Sequence, residues 1–432
     1  MTVLFKILQV VLALSILIIA HEFGHFIFAK LFKIRVEKFY LFFDVGGKAL
    51  LKFRIGETEF GIGWLPLGGY CKIAGMVDES MDMEQLKKEP QPWEFRSHPA
   101  WQRLFVMAGG VLFNFILAII TYAIICGNWG TAYISNETTA IYPNELAREM
   151  GFKSGDRILK LDDYVPEDFS SLQADLVRKD VSCVTLLRDN DTLELYIDKS
   201  LTSEMLNSPM MFGVALPFVV DSVASPVNAA VLQRGDSLLS VAGQKTPFLQ
   251  DASPVLAAHA GETVDVVVSR GGHMLELPLQ VDTAGRVGIY VCQPDIRRQS
   301  YSNPISALGA GVKMTGETMG GYLKDLKMVF TPSTGAYKSV GSFIAIGQVF
   351  PNAWDWYQFL SILALLSIML GVVNLIPIPG LDGGHILFTL YEMITGRKPS
   401  DRFLYIMQII GMILLFGLMF LAFGNDIARL IH

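Results

Sequence analysis

An apolar run from Val3 to Ala20, broken only by Lys6, Gln9 and Ser15, leads directly into His21-Glu22-Phe23-Gly24-His25. Continued to Leu31, the run is long enough to cross a bilayer as one helix. Three ionisable side chains in such a helix are costly unless they are partnered or put to use. The H-E-x-x-H spacing sets both imidazoles on one helix face, where they can bind one metal ion. Glu22 lies beside them and can take a proton from a metal-bound water. No A-x-A-like cleavage site precedes the mature region, so the segment reads as an uncleaved first span.

The rest of the chain fits a membrane protein. Of its 432 residues, 51% are hydrophobic and only 18% charged, which predicts several spans plus soluble parts. A net charge of -6 argues against nucleic acid as a partner. Cys71, Cys126, Cys183 and Cys292 form no C-x-x-C, so neither a zinc ribbon nor a disulfide framework is indicated. Three further spans are expected at 101–126, 354–375 and 403–423. Lys30, Lys33, Arg35 and Lys38 follow the first span, Arg96 and Arg103 precede or open the second, and Arg397, Lys398 and Arg402 separate the third from the fourth. The positive-inside rule then puts these segments in the cytoplasm, and both termini and residues 130–295 outside. Asn114, inside the second span, reads as a helix–helix hydrogen bond.

Between the first two spans the pattern changes. Phe39–Phe43, Ala49–Ile55 and Glu59–Leu65 read as short strands punctuated by Gly46-Gly47 and Gly56. The stretch Gly61 to Tyr70 is apolar yet rich in Gly and Pro, so it cannot be a spanning helix. It is expected to form a hairpin dipping beside the metal site, with an open edge for an extended peptide. Gly61, Gly63 and Leu65 are its candidate substrate-binding positions. Residues 78–98 read as a cytoplasmic surface segment anchored by Trp93 and Phe95. Residues 303–330 carry Lys313, Glu317, Lys324, Asp325 and Lys327 on a helical period, and read as an amphipathic surface helix, with a second over 336–350.

Residues 130–295 have interspersed charge, short strands and an internal repeat. Gly155-Asp156-Arg157-Ile158-Leu159 returns as Gly235-Asp236-Ser237-Leu238-Leu239, and Leu187-Arg188-Asp189 as Ser269-Arg270-Gly271. A period near eighty residues suits two copies of one small β-rich domain. The pattern resembles tandem PDZ domains, here 128–218 and 219–295. The resemblance implies a capacity to bind peptide C-termini or extended segments by strand addition.

Two histidines leave a catalytic zinc site one protein ligand short. Asp382, His385 and Asp44 compete for that place. Asp382 also suits the helix N-cap of 383–395. It closes the run Asn374-Leu375-Ile376-Pro377-Ile378-Pro379-Gly380-Leu381-Asp382-Gly383 at the end of the third expected span. An early H-E-x-x-H paired with a late N-x-x-P-x-P-x-x-D-G resembles the site-2 protease family of intramembrane zinc metalloproteases. That resemblance covers essentially the whole chain. It implies one zinc ion on His21, His25 and Asp382, Glu22 as the base, and substrate handling by Asn374, Pro377 and Pro379. It further implies a bacterial inner-membrane enzyme working near the cytoplasmic face. Its substrates would be trimmed single-pass membrane proteins, such as an anti-sigma factor in envelope-stress signalling or signal-peptide remnants. Relatives often carry G-x-G where this chain reads Val45-Gly46-Gly47, which leaves the role of that turn open.

The expected fold class is therefore a polytopic α-helical membrane protein. It has four transmembrane helices, a membrane-associated β-hairpin or sheet, and two tandem PDZ domains. The first span takes residues 1–35, the β-region and surface segment 36–100, and the second span 101–127. Beyond the PDZ pair, amphipathic helices take 296–353, the third span with its motif 354–385, a cytoplasmic loop 386–402, and the fourth span 403–432. The rivals are a non-proteolytic membrane PDZ scaffold and a zinc-dependent transporter. The second is disfavoured because the spans are mostly apolar.

Overall fold

The computed structural model describes all residues except 1, 67, 77–88, 335, 337–340, 342 and 432. Most of the charged stretch after residue 77 and part of the expected helix over 336–350 therefore lie outside the described residues. The chain divides into two compact units, one of Met1–Gly130 with Ser300–His432, the other of Thr131–Gln299.

The first unit is built on helices. These are α1 (Thr2–Leu31), α2 (Ala100–Trp129), α3 (Pro304–Val329), α4 (Phe343–Val349), α5 (Trp356–Leu375), α6 (Asp382–Thr395) and α7 (Asp401–Ile431). Four of them, α1, α2, α5 and α7, are long and apolar enough to cross a membrane. Their outer faces carry bare aliphatic and aromatic groups, with Leu4 and Phe420 each 70% exposed. Such a surface is a liability in water and a solvent match in lipid.

Lipid offers no hydrophobic drive for one span to leave it for another, so the helices meet where small residues let backbones touch. At the α1–α2 crossing, a Cβ on Gly24 would stand 2.2 Å from the Gly109 carbonyl oxygen. Further along α2, Ala118, Tyr122 and Ile125 pack with Ala364, Ile368 and Val372 of α5. Ser367 of α5 donates from Oγ to the Asn114 carbonyl at 2.7 Å. At the start of α2, the buried Arg103 guanidinium pairs with Glu392 of α6 and donates through Nε to the His98 carbonyl. Helix α3 is amphipathic as expected; its small residues pack on neighbouring helices, while Ile305, Leu308 and Val312 stay exposed. Its Ala307, Ala310, Gly311 and Thr315 are buried, and a Cβ on Gly311 would come 2.6 Å from Ile119 O of α2. Lys313 and Glu317 remain exposed on the far side.

Between α1 and α2 lies a four-stranded sheet of β1 (Val36–Leu41), β2 (Ala49–Ile55), β3 (Thr58–Gly63) and β4 (Tyr70–Ile73), in the order β2-β3-β1-β4. Strands β1 and β3 run parallel; the other pairs are antiparallel. Phe26 of α1 meets Phe39 and Phe60 edge-on, fixing the sheet against the helix. Gly69 makes the closest approach, since a Cβ there would stand 2.4 Å from Ile18 Cγ2. The hairpin thus lies beside the helix carrying the histidines, but its free edge is not where the sequence reading put it. Gly61 and Gly63 both lie in the interior strand β3, where Gly61 is paired with β1 and β2 and Gly63 with β2, and Leu65 bridges Phe43. Strands β2 and β4 end the sheet and carry its open edges, and of the two β4 is the one that lines the cavity around the histidines.

The second unit contains several small sheets. Arg157–Leu161, Cys183–Arg188 and Asp191–Tyr196 form one antiparallel sheet. Ser237–Val241, Thr263–Arg270 and His273–Gln280 form another, extended by Gln244–Lys245. The two sheets share details. Each has a register irregularity in its first strand, at Ile158/Lys160 and at Leu238/Ser240. In each, a buried Asp after a positive-φ glycine receives a bidentate guanidinium, Arg188 on Asp156 and Arg270 on Asp236, at 2.7–2.8 Å. The Arg270 bond holds the Asp236 carboxyl below the usual carboxylate range. None of the four cysteines, all among the described residues, forms a disulfide.

Candidate metal centre

The site forms where α1, α2 and the first turn of α6 meet. His21 and His25 lie on one face of α1, their Nε2 atoms 3.3 Å apart. Asp382 reaches both, Oδ2 to His21 Nε2 at 3.3 Å and Oδ1 to His25 Nε2 at 3.5 Å. Of the three candidates for the third place, only Asp382 does this. Asp44 is occupied elsewhere, taking Lys38 Nζ at 2.9 Å and the Tyr70 hydroxyl at 2.7 Å. His385 lines the same cavity but stands outside the converging group. Nor is Asp382 a helix cap: α6 is preceded by Leu381 at the N-cap, with no side-chain capping bond.

The local sequence explains the placement. Helix α5 ends at Leu375, and Pro377 and Pro379 cannot continue it. Gly380, at φ +99°, turns the chain back. Gly383 and Gly384 then let the first turn of α6 sit against the Ile376 and Ile378 carbonyls, where a Cβ would come within 2.2 Å and 2.7 Å. The turn rests on α7 at Gly411, which must be glycine because Pro379 O occupies the place of its Cβ.

The three side chains fit a zinc ion. A tetrahedral ion at 2.0–2.1 Å from its ligands holds them about 3.3 Å apart, which is the spacing found here. Asp382 Oδ2 is buried without a hydrogen-bond partner among the described residues, as an oxygen meant for a cation would be. His25 Nδ1 lies 2.8 Å from the Val106 carbonyl, which orients Nε2 toward Asp382. Two imidazoles and one carboxylate leave a fourth position open for water or substrate.

Around this centre lies a cavity of about 750 Å³, the size of a ligand or short peptide site. Glu22, His385, the β4 residues Tyr70–Ile73, and Gln408 and Met412 of α7 line it. Asn374 places its Nδ2 3.5 Å from His21 Nε2. Pro377 and Pro379 shape the turn but do not line the cavity, and neither do Gly61, Gly63 or Leu65. The sequence reading passed over Gly110 of α2. A Cβ there would stand 2.5 Å from His25 Nε2 and 2.6 Å from His21 Cε1. The Gly109-Gly110 pair inside an apolar span was the available signal. Gly110→Ala is expected to push the imidazoles apart and lower bound zinc well below one per chain. Gly127→Ala in the same helix, where the nearest atom would be 3.7 Å away, should leave it unchanged. Metal analysis of the two purified proteins makes the comparison.

Residues 9–418 match the model of peptidase family M50. The chain is 30% identical to the regulator of sigma-E protease RseP of Salmonella typhimurium over 100% of both chains. It is 29% identical to the regulator of sigma E protease of Haemophilus influenzae, again over 100% of both. A Vibrio cholerae protein whose name is that of a zinc metalloprotease is 29% identical over 99% of each.

Proposed function

This chain belongs to peptidase family M50, the site-2 proteases, and is a membrane zinc metalloprotease; from that premise we propose that His21, His25 and Asp382 hold its one zinc ion and that Glu22 moves the proton in peptide-bond hydrolysis. The observation that supports this is the convergence of two imidazoles and a carboxylate, their contacting atoms 3.3–3.5 Å apart, from segments at opposite ends of the chain. Zinc, when bound, lowers the pKa of a coordinated water toward about 7 and polarises a carbonyl. Glu22 accepts a proton as the water oxygen adds to the scissile carbonyl carbon. It returns that proton to the amine nitrogen as the C–N bond breaks. A helical substrate has its carbonyls tied up in the helix and must unwind before attack. The open edge of β4 along the cavity suits an unwound strand, and the Asn374 amide beside His21 suits its polar backbone.

The substrates on this reading are single-pass membrane proteins already trimmed by another protease. Two relatives are named as regulators of sigma E, and the family resemblance suggests an anti-sigma factor in envelope-stress signalling as substrate, with signal-peptide remnants as a further group. The enzyme would lie in the bacterial inner membrane, with both termini and residues 131–299 on the periplasmic side and the site near the cytoplasmic face. Residues 128–218 and 219–295 would act as two PDZ domains that exclude untrimmed substrates. A tagged single-span substrate, intact or trimmed, separates the possibilities. The purified protein should cut the trimmed form, lose activity to a chelator and regain it with zinc. A deletion of 131–299 should also cut the intact form. No cleavage of either form would leave the scaffold reading in possession.

A further inference from the structure

We propose that Asn114 is a positioning residue of the metal centre, its side-chain amide holding the His21 ring with Nε2 turned toward the ion. This rests on the reading of His21, His25 and Asp382 as ligands. Asn114 is fully buried in α2. Its Nδ2 stands 3.1 Å from His21 Nδ1, the ring nitrogen opposite the one that meets Asp382. Its Oδ1 has no hydrogen-bond partner among the described residues. An amide left half-satisfied in a membrane-spanning helix is a cost that persists where the group serves a neighbour.

The neighbour is a ring with a defined need. An imidazole that gives Nε2 to a metal carries its proton on Nδ1, and that N–H requires an acceptor. The two ends of an amide have the same shape, so a half-turn of the terminal group exchanges them without repacking. Opposite such a proton the amide must present its oxygen, and the orphaned Oδ1 is the atom that can do so.

The arrangement is regular along α2. Val106, Gly110 and Asn114 recur every four residues on one face. Val106 offers its carbonyl to His25, Gly110 leaves room for both rings, and Asn114 meets His21. The Asn114 backbone is in turn pinned to α5 by the Ser367 hydroxyl. The helix–helix hydrogen bond expected of a lone Asn in a span is present, and its partner is a metal-ligand histidine.

The test measures zinc affinity of the full-length protein in detergent by competition with a metallochromic chelator, a readout that needs no substrate. Asn114→Leu removes the acceptor and should weaken zinc 10–100-fold, the usual cost of losing an outer-shell partner. Asn114→Asp supplies an acceptor and no donor, and should bind zinc at least as tightly as the wild type. A merely structural role would lower thermal stability without moving the affinity of the folded protein. Unchanged affinity in folded Asn114→Leu overturns the proposal. Should that variant not fold, a tenfold loss in Asn114→Asp overturns it alone. His21→Ala separates the two levels. If it keeps wild-type affinity, the ligand assignment is wrong; if it loses zinc while Asn114→Leu does not, the ligands stand and only Asn114 falls.

Discussion

Glu22→Gln is expected to abolish peptide cleavage while leaving one zinc ion bound per chain. Gln keeps the size of Glu and its carbonyl acceptor, but it cannot take up a proton at neutral pH. Glu22 lines the cavity beside the two imidazoles and is not one of the three converging ligands, so its replacement should spare the metal. What is lost is proton transfer in both directions, off the attacking water and onto the departing amine. Removing a general acid–base group typically costs 10²–10⁴-fold. Because the interaction is made in the transition state, kcat and kcat/KM should fall together, with KM little changed. The measurement is cleavage of a trimmed single-span substrate by wild type and variant, with zinc quantified in the same preparations. Activity within about tenfold of wild type at full zinc content would sink the role given to Glu22.

What could be read from the sequence follows the range of the interactions. His21 and His25 are four residues apart, and a helix alone brings them together. The turn at Asn374–Asp382 is largely local as well, since two prolines and the glycines set its course, although its seat against Gly411 of α7 is a long-range contact. The choice of Asp382 over Asp44 and His385 was not local. It depends on a hydrogen bond from Tyr70 and an ion pair from Lys38 that use up Asp44. The sheet shows the same limit. Strand positions follow from composition, yet strand order does not, and a β1–β3 parallel pairing put the strand of Gly61 and Gly63 in the interior instead of at an edge.

Helix α3 and Asn114 mark the remaining gap. The charges of α3 announce an amphipathic helix but not that its small residues will meet α2, as Gly311 does at Ile119. Asn114 announces a buried polar contact but not its partner, which lies 93 positions earlier in the chain. In both cases the residue type was informative and the missing information was a long-range pairing.

Asp382→Ala is expected to strip the zinc and, with it, all activity. Asp382 supplies the only carboxylate among the three converging groups, so its loss removes one of three protein ligands and the anionic charge opposite the ion. The affinity should fall by more than the 10–100-fold that follows loss of a mere outer-shell partner. The fold does not depend on this side chain through capping, since it makes no capping bond at the start of α6, whose N-cap is Leu381. An acidic residue in a first helical turn contributes only about 0.3–1 kcal/mol through the helix dipole. Thermal unfolding of the metal-free forms should therefore be similar in wild type and variant, while metal analysis separates them sharply. If Asp382→Ala still held one zinc per chain, the third ligand would have to be another cavity group, His385 first among them, and the meeting of the two chain ends would lose its chemical meaning.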